Sequence, residues 1–188
     1  DTNHLVTTGA EGYTSSPESS GTDFIDMHSS PAIDYTTAHI WIQNWGWYDP
    51  TQHAASYPDA KKKMTEYLMR HAEESKRLGK PFVLEEFGIM RDNGSFDAAA
   101  PSINRDEYFR DVFEQVYQLA KRGEACGVNF WAWGGEGRPR HAGAWWQKGD
   151  EFTGDPPHEP QGWYSVYNTD LATLKIIKTY SNKLKKLR

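Results

Sequence analysis

The sequence predicts an α/β protein built on a parallel sheet. Three observations carry that expectation. Short apolar runs alternate with longer stretches of helical period along the chain, an order that yields parallel strands joined by right-handed crossovers. One run, Phe82-Val83-Leu84-Glu85-Glu86-Phe87, drives straight into carboxylates, and the C-terminal ends of parallel strands are where such sheets place their chemistry. Two other runs end in indoles, Trp41 and the Trp131/Trp133 pair.

Taken in order, the strand candidates cover residues 4–9, 35–42, 82–87 and 127–133, each rich in β-branched or aromatic side chains. A short helix is expected over 22–28. The segment 60–78 carries Met64, Tyr67, Leu68, His71 and Leu78 at helical spacing and stops at Gly79, with Pro81 just beyond. Residues 104–122 open with Asn104 and Glu107 in capping-box spacing, bury Tyr108, Val112, Phe113, Val116 and Leu119, and stop at Gly123. The last helix, 171–187, repeats Leu174, Ile177, Tyr180 and Leu184, and its basic end suits a helix C-terminus. The longest irregular stretch, 134–162, holds Pro139, Pro156, Pro157 and Pro160 with Trp145 and Trp146. Loops of that length in compact domains are functional or disordered, and the aromatic content here argues for order.

No internal repeat or low-complexity tract divides the chain, so residues 1–188 read as a single unit with enough length for one sizeable core. The formal net charge of −5 argues against a nucleic-acid partner. No apolar run is long enough for a membrane span. Cys126 is the lone cysteine, which rules out an internal disulfide, and its neighbours Ala125 and Gly127 offer it no base. No export signal is seen, and the chain begins in strand-like sequence, as the later part of something longer would.

Strand alternation sorts side chains onto faces. Ala38, Ile40 and Ile42 suit packing against helices, which turns Thr37, His39 and Trp41 the other way. Val128, Phe130 and Ala132 suit the helix side, which turns Asn129, Trp131 and Trp133 away from it. With Val83 assigned to the helix side, Glu86 falls on the face of His39 and Trp131. Glu85 is then expected to point at the helix layer or a neighbouring strand as a structural partner. Carboxylate, imidazole and indole so converge near three strand ends. A carboxylate can attack an anomeric carbon or take a proton, and indole faces stack on the C–H faces of sugars. His39 would bond a substrate hydroxyl or orient a carboxylate. The residues thus point to a carbohydrate site, against the plainer reading of core aromatics in a structural α/β domain. No His-Glu-x-x-His spacing, Gly-x-Ser-x-Gly elbow or phosphate-cradling loop is present. Neither a metal nor a cofactor is expected.

Three motifs resemble the sixth, seventh and eighth strands of glycoside hydrolase family 5, and within it the endo-β-1,4-mannanases. They are His39-Ile40-Trp41-Ile42-Gln43-Asn44-Trp45-Gly46-Trp47, Leu84-Glu85-Glu86-Phe87-Gly88 and Asn129-Phe130-Trp131-Ala132-Trp133-Gly134-Gly135. Val6-Thr7-Thr8-Gly9-Ala10-Glu11-Gly12 resembles the fifth. The resemblance implies a TIM (β/α)8 barrel, present as a four-strand C-terminal half barrel. It implies a retaining mechanism with Glu86 as nucleophile, His39 positioning it and Trp131 as the platform under the attached sugar. Glu11 falls near the leaving-group side, and Trp45, Trp47, Trp133, Trp145 and Trp146 are candidates for flanking subsites. Trp41 stands where the family usually has Tyr, so it is expected to offer a stacking surface instead of a hydroxyl. The family's acid/base glutamate belongs to an Asn-Glu-Pro motif on the fourth strand, and no Asn-Glu dipeptide occurs in this sequence.

The implied activity is endo-hydrolysis of β-mannan or galactomannan. The N-terminal half barrel would come from another chain, a further segment or a second copy of this one. Two alternatives stand beside it: a carbohydrate-binding but catalytically incomplete fragment, and a related endo-β-1,4-glucanase. The family also implies a secreted, periplasmic or cell-envelope bacterial enzyme.

Overall fold

A computed structural model describes residues 3–14 and 22–187. Its elements are α1 (Phe24–Ser29), β1 (Thr36–Ile40), α2 (His53–Arg77), β2 (Phe82–Phe87), a 3-10 turn (Asp92–Gly94), α3 (Ile103–Lys121), β3 (Ala125–Val128), β4 (Trp133–Gly135), β5 (Val166–Tyr167) and α4 (Leu171–Lys185). The main sheet is parallel in the order β1-β2-β3, with α2 and α3 as its crossovers; β4 and β5 form a separate parallel pair. The predicted α/β class with parallel strands is the observed one.

The core lies between this sheet and its crossover helices. Ile40, Phe82, Leu84 and Phe87 meet Met64 and Leu68 of α2 and Tyr108, Phe109, Val112 and Val116 of α3, all buried. Phe87 sits 4.8 Å from the ring of Phe109 and 5.3 Å from that of Phe113. Burying each such side chain is worth roughly 1.5–3 kcal/mol. α4 docks on α3 by stacking Tyr180 on Phe113 at 5.6 Å. It is also tied in at its start, where Asp170 accepts from Arg91 Nη2 at 2.7 and 2.8 Å and from Arg105 Nη2 at 2.8 Å. Burial works to raise the Asp170 pKa, but the two guanidiniums outweigh it and hold the carboxyl below its usual range.

Several expectations require correction. Residues 4–9 are extended but form no strand. Val6 N–H donates to the Asp34 side chain at 2.7 Å, not to a backbone carbonyl. Gly9, at φ +67°, then turns the chain out of the β region. The helix expected from residue 60 starts at His53 and takes Pro58 into its early turns. The Asn104/Glu107 capping box is absent. The Asp92 carboxylate caps α3 instead, accepting from Ile103 N at 3.1 Å and Asn104 N at 2.9 Å, while Glu107 meets His53 Nε2 at 3.2 Å. The strand expected over 127–133 changes partner midway. Asn129 N and Trp131 N still bond β2, at Leu84 O (2.9 Å) and Phe87 O (2.8 Å), but Ala132 exchanges bonds with Tyr164 and Val166 beside β5.

The correction that matters most is a bulge. Ala38 pairs with Leu84, but His39 pairs with Glu86. Glu85 is the extra residue, and alternation fails there. Phe82, Leu84 and Phe87 face the helices, so Val83 does not. Glu85 and Glu86 both turn to the face of His39, and Glu85 does not point into the helix layer.

Candidate active site

The bulge places two carboxylates around one imidazole. His39, at the end of β1, lies with Nδ1 3.2 Å from Glu86 Oε2 and Nε2 3.5 Å from Glu85 Oε2. Just beyond β2, Gly88 lets the chain carrying Trp131 come in close, because a Cβ at Gly88 would stand 2.5 Å from Trp131 O. Trp131 then meets Trp41 edge-on at 6.3 Å, and Trp41 lies 5.3 Å from Tyr164. From the other side comes the extended segment. Glu11 O accepts from His39 N at 2.9 Å and from Tyr67 Oη at 2.7 Å, which fixes that residue beside the strand ends. Gly12 follows at φ +97°, where a Cβ would collide with His71 and Tyr67.

These groups enclose a cavity of about 260 Å³ lined by Glu11, Trp41, Asn44, Trp45, Glu86, Trp131, Glu159 and Tyr164. A larger recess of about 740 Å³ opens beside β3, α3 and α4, and its lining holds no acidic group.

Burial raises the pKa of Glu86; His39 opposes the shift, and the charges of Glu85 and Glu11 add to it. Burial also raises that of Glu159, helped by Asp155, with Glu86 contributing to the same effect. Such a cluster of carboxylates with split environments can divide acid, base and nucleophile roles. Among the described residues no group of His, Cys, Asp and Glu is arranged to hold a metal ion.

Of the residues singled out from sequence, Glu86, His39, Trp131, Glu11, Trp41 and Trp45 are brought together. Trp47 stands behind Trp45, 4.9 Å away, and packs toward Tyr67. Trp133, Trp145 and Trp146 lie outside the cavity. Trp133 is 54% exposed and lines the larger recess, Trp145 pairs with Pro160, and Trp146 stacks on Phe152. Three lining residues were not foreseen. Asn44 accepts a hydrogen bond from the Tyr164 hydroxyl, and Glu159 and Tyr164 come from the long irregular stretch and its end. Asn44 lay within a quoted motif; Glu159 and Tyr164 carry no periodicity that would have flagged them.

A parallel strand–helix wall with carboxylates and indoles at its strand ends places the chain among glycoside hydrolases of (β/α)8-barrel type. The chain belongs to the glycoside hydrolase family 5 β-mannosidase-like family, whose model matches residues 1–188. It is similar to a crystal structure of a glycoside hydrolase family 5 mannosidase from Rhizomucor miehei, with 39% identity and a TM-score of 0.82, over 98% of this chain and 44% of that one. It is also similar to mannan endo-1,4-β-mannosidase 5 of Arabidopsis thaliana, 30% identical over 88% of this chain and 38% of that protein. The endo-β-1,4-mannanase of Thermotoga petrophila, at 24% identity and a TM-score of 0.67, shares the fold. The chain spans about a third of the length of the curated relatives it matches, 29–38% among the first of them. No helix among the described residues is long and apolar enough to cross a membrane.

Proposed function

We propose that this chain is the C-terminal, nucleophile-bearing half of the barrel of an enzyme that hydrolyses β-mannosidic bonds with retention. The observation that carries this reading is the Glu86 carboxylate, 3.2 Å from His39 Nδ1 in a small cavity walled by indoles. Glu86, ionised, attacks the anomeric carbon of a β-mannosyl residue. A second carboxyl about 5–5.5 Å away protonates the leaving oxygen, and the same group then deprotonates the water that releases the sugar. His39 holds Glu86 in place. Trp131 and Trp41 present ring surface to the distorted sugar, and Trp45 extends that surface. The acid/base glutamate belongs to the remaining half of the barrel, since no Asn-Glu dipeptide occurs here. Mannan or galactomannan is the substrate class on this reading, supported by the names of the relatives, and export from the cell goes with it.

A second reading is favoured by one observation. Glu159 and Asn44 line the cavity beside Glu86, and the matching family model is described as β-mannosidase-like. On that reading the enzyme trims single mannose units from chain ends.

The test uses the full-length enzyme on mannan, short β-mannosides and cellulose. Fall in mannan viscosity with mixed oligosaccharides indicates endo cleavage; release of mannose alone indicates trimming. Activity confined to cellulose, or binding of mannan without new reducing ends, contradicts the proposal. Glu86→Ala is expected to lower kcat by several orders of magnitude with the fold intact.

A further inference from the structure

The two consecutive glutamates of β2 face the same imidazole from opposite sides. In an unbroken strand one of them would enter the apolar layer of Leu84 and Phe87, where an unpartnered carboxylate is costly. The bulge avoids that, and in doing so gives His39 a carboxylate at each ring nitrogen: Glu86 at Nδ1, 3.2 Å, and Glu85 at Nε2, 3.5 Å. Nε2 is buried and makes no hydrogen bond, so Glu85 is its nearby charged neighbour. The Glu85 Oε2 lies beside Gly9, 3.9 Å from where a Cβ on that residue would stand. We propose that Glu85 is a positioning residue: it holds the His39 ring from behind so that Nδ1 stays on Glu86.

A flip of the His39 ring about its Cβ–Cγ bond exchanges Nδ1 with Cδ2 and Nε2 with Cε1, so the flipped ring turns carbon, not nitrogen, toward the carboxylates that it now faces. A carboxylate only accepts. With an acceptor on both sides the flipped ring must leave both distances at once, so the observed orientation is selected. Glu85 touches neither substrate nor leaving group in this account and acts through His39. The inference rests on the proposed function in one respect, that Glu86 is the reacting group.

The test compares Glu85→Gln and Glu85→Asp with the native full-length enzyme on an aryl β-mannoside, and records the imidazole 15N signals of His39. Glu85→Gln is expected to lower kcat roughly 10–100-fold, the range for carboxylates that orient metal-bound histidines, with KM little changed. It should also move the acid limb of kcat/KM to lower pH, because one negative charge facing Glu86 is removed. The groups that face Glu86 are His39 from β1, Glu85 from its own strand, Glu11 from the extended segment and Glu159 from the long loop. Glu85→Asp should recover part of kcat. The His39 15N signals should shift in Glu85→Gln and less in Glu85→Asp. Unchanged kcat, an unmoved acid limb or unchanged imidazole signals in a folded Glu85→Gln would overturn the proposal. If Glu86→Ala stays active while Glu85→Gln still moves the signals, the nucleophile assignment fails and the positioning role stands.

Discussion

His71 makes the fold sensitive to acid in a way that can be worked out in advance. It lies on α2, fully buried among Phe24, Tyr67 and Phe82. Both ring nitrogens are committed: Nδ1 donates to Tyr67 O at 2.7 Å, and Nε2 accepts from Tyr13 N at 2.9 Å. That pattern fits only the neutral ring. A second proton would face the Tyr13 N–H and be stranded without water. Burial is the main cause that pushes its pKa down from 6.5 to about 4, the bond to Tyr67 working the other way. The unfolded chain therefore binds a proton between about pH 6.5 and 4 that the folded chain refuses. Stability is unaffected by this residue above pH 6.5 and declines as pH falls through that window. At ~1.4 kcal/mol for each tenfold in proton affinity, the loss totals about 3 kcal/mol. Urea unfolding of the native protein and of His71→Gln between pH 7.5 and 4 checks it, since Gln keeps an acceptor but cannot titrate. The native protein should lose about 3 kcal/mol more than the variant over that range. Parallel pH curves for the two would refute the reasoning.

Other substitutions follow from the same contacts. Asp92→Ala removes the acceptor for Ile103 N and Asn104 N and should cost about 0.5–2 kcal/mol, seen as a lower Tm. Asp170→Asn leaves Arg91 and Arg105 buried without their counter-charge and should cost about 3–5 kcal/mol in chemical denaturation. Gly88→Ala drives a methyl group to within 2.5 Å of Trp131 O. It should destabilise by about 1–3 kcal/mol and raise KM for β-mannosides as Trp131 is displaced.

Much of this architecture was legible because each level of the sequence agreed with the next. Residues 82–87 are bounded by a proline and a glycine and packed with apolar side chains, and they form β2 over that same span. The helix leading to Gly79 and the one leading to Gly123 end where those glycines stand. The site was harder to read. Glu86 was assigned to the face of His39 by strict alternation, with Val83 on the helix side. The face assigned to Glu86 was the observed one, but the phase was not, and a bulge makes up the difference. The pair Glu85-Glu86 itself held the signal, since alternation within a buried strand must send one of two adjacent carboxylates into an apolar layer. Glu159 and Tyr164 reach the cavity through long-range loop contacts. Asp155 anchors that loop by accepting from Gly162 N and Tyr164 N, each at 2.8 Å. Such contacts have no periodicity to betray them. The indoles Trp133, Trp145 and Trp146 lie outside the cavity; just before Trp133 the chain leaves β2 and Ala132 bonds Tyr164 and Val166 instead, a change of partner that strand alternation does not signal.

The proposed retaining mechanism requires Glu86 to bond covalently to the sugar. Incubating the full-length enzyme with a 2-deoxy-2-fluoro-mannosyl fluoride, then digesting and sequencing by mass spectrometry, tests this directly. A fluoromannosyl adduct is expected on the peptide containing Glu86, at its carboxylate, and none in Glu86→Ala; an adduct on Glu85, Glu11 or Glu159, or turnover with no adduct and inverted product, would refute the nucleophile assignment.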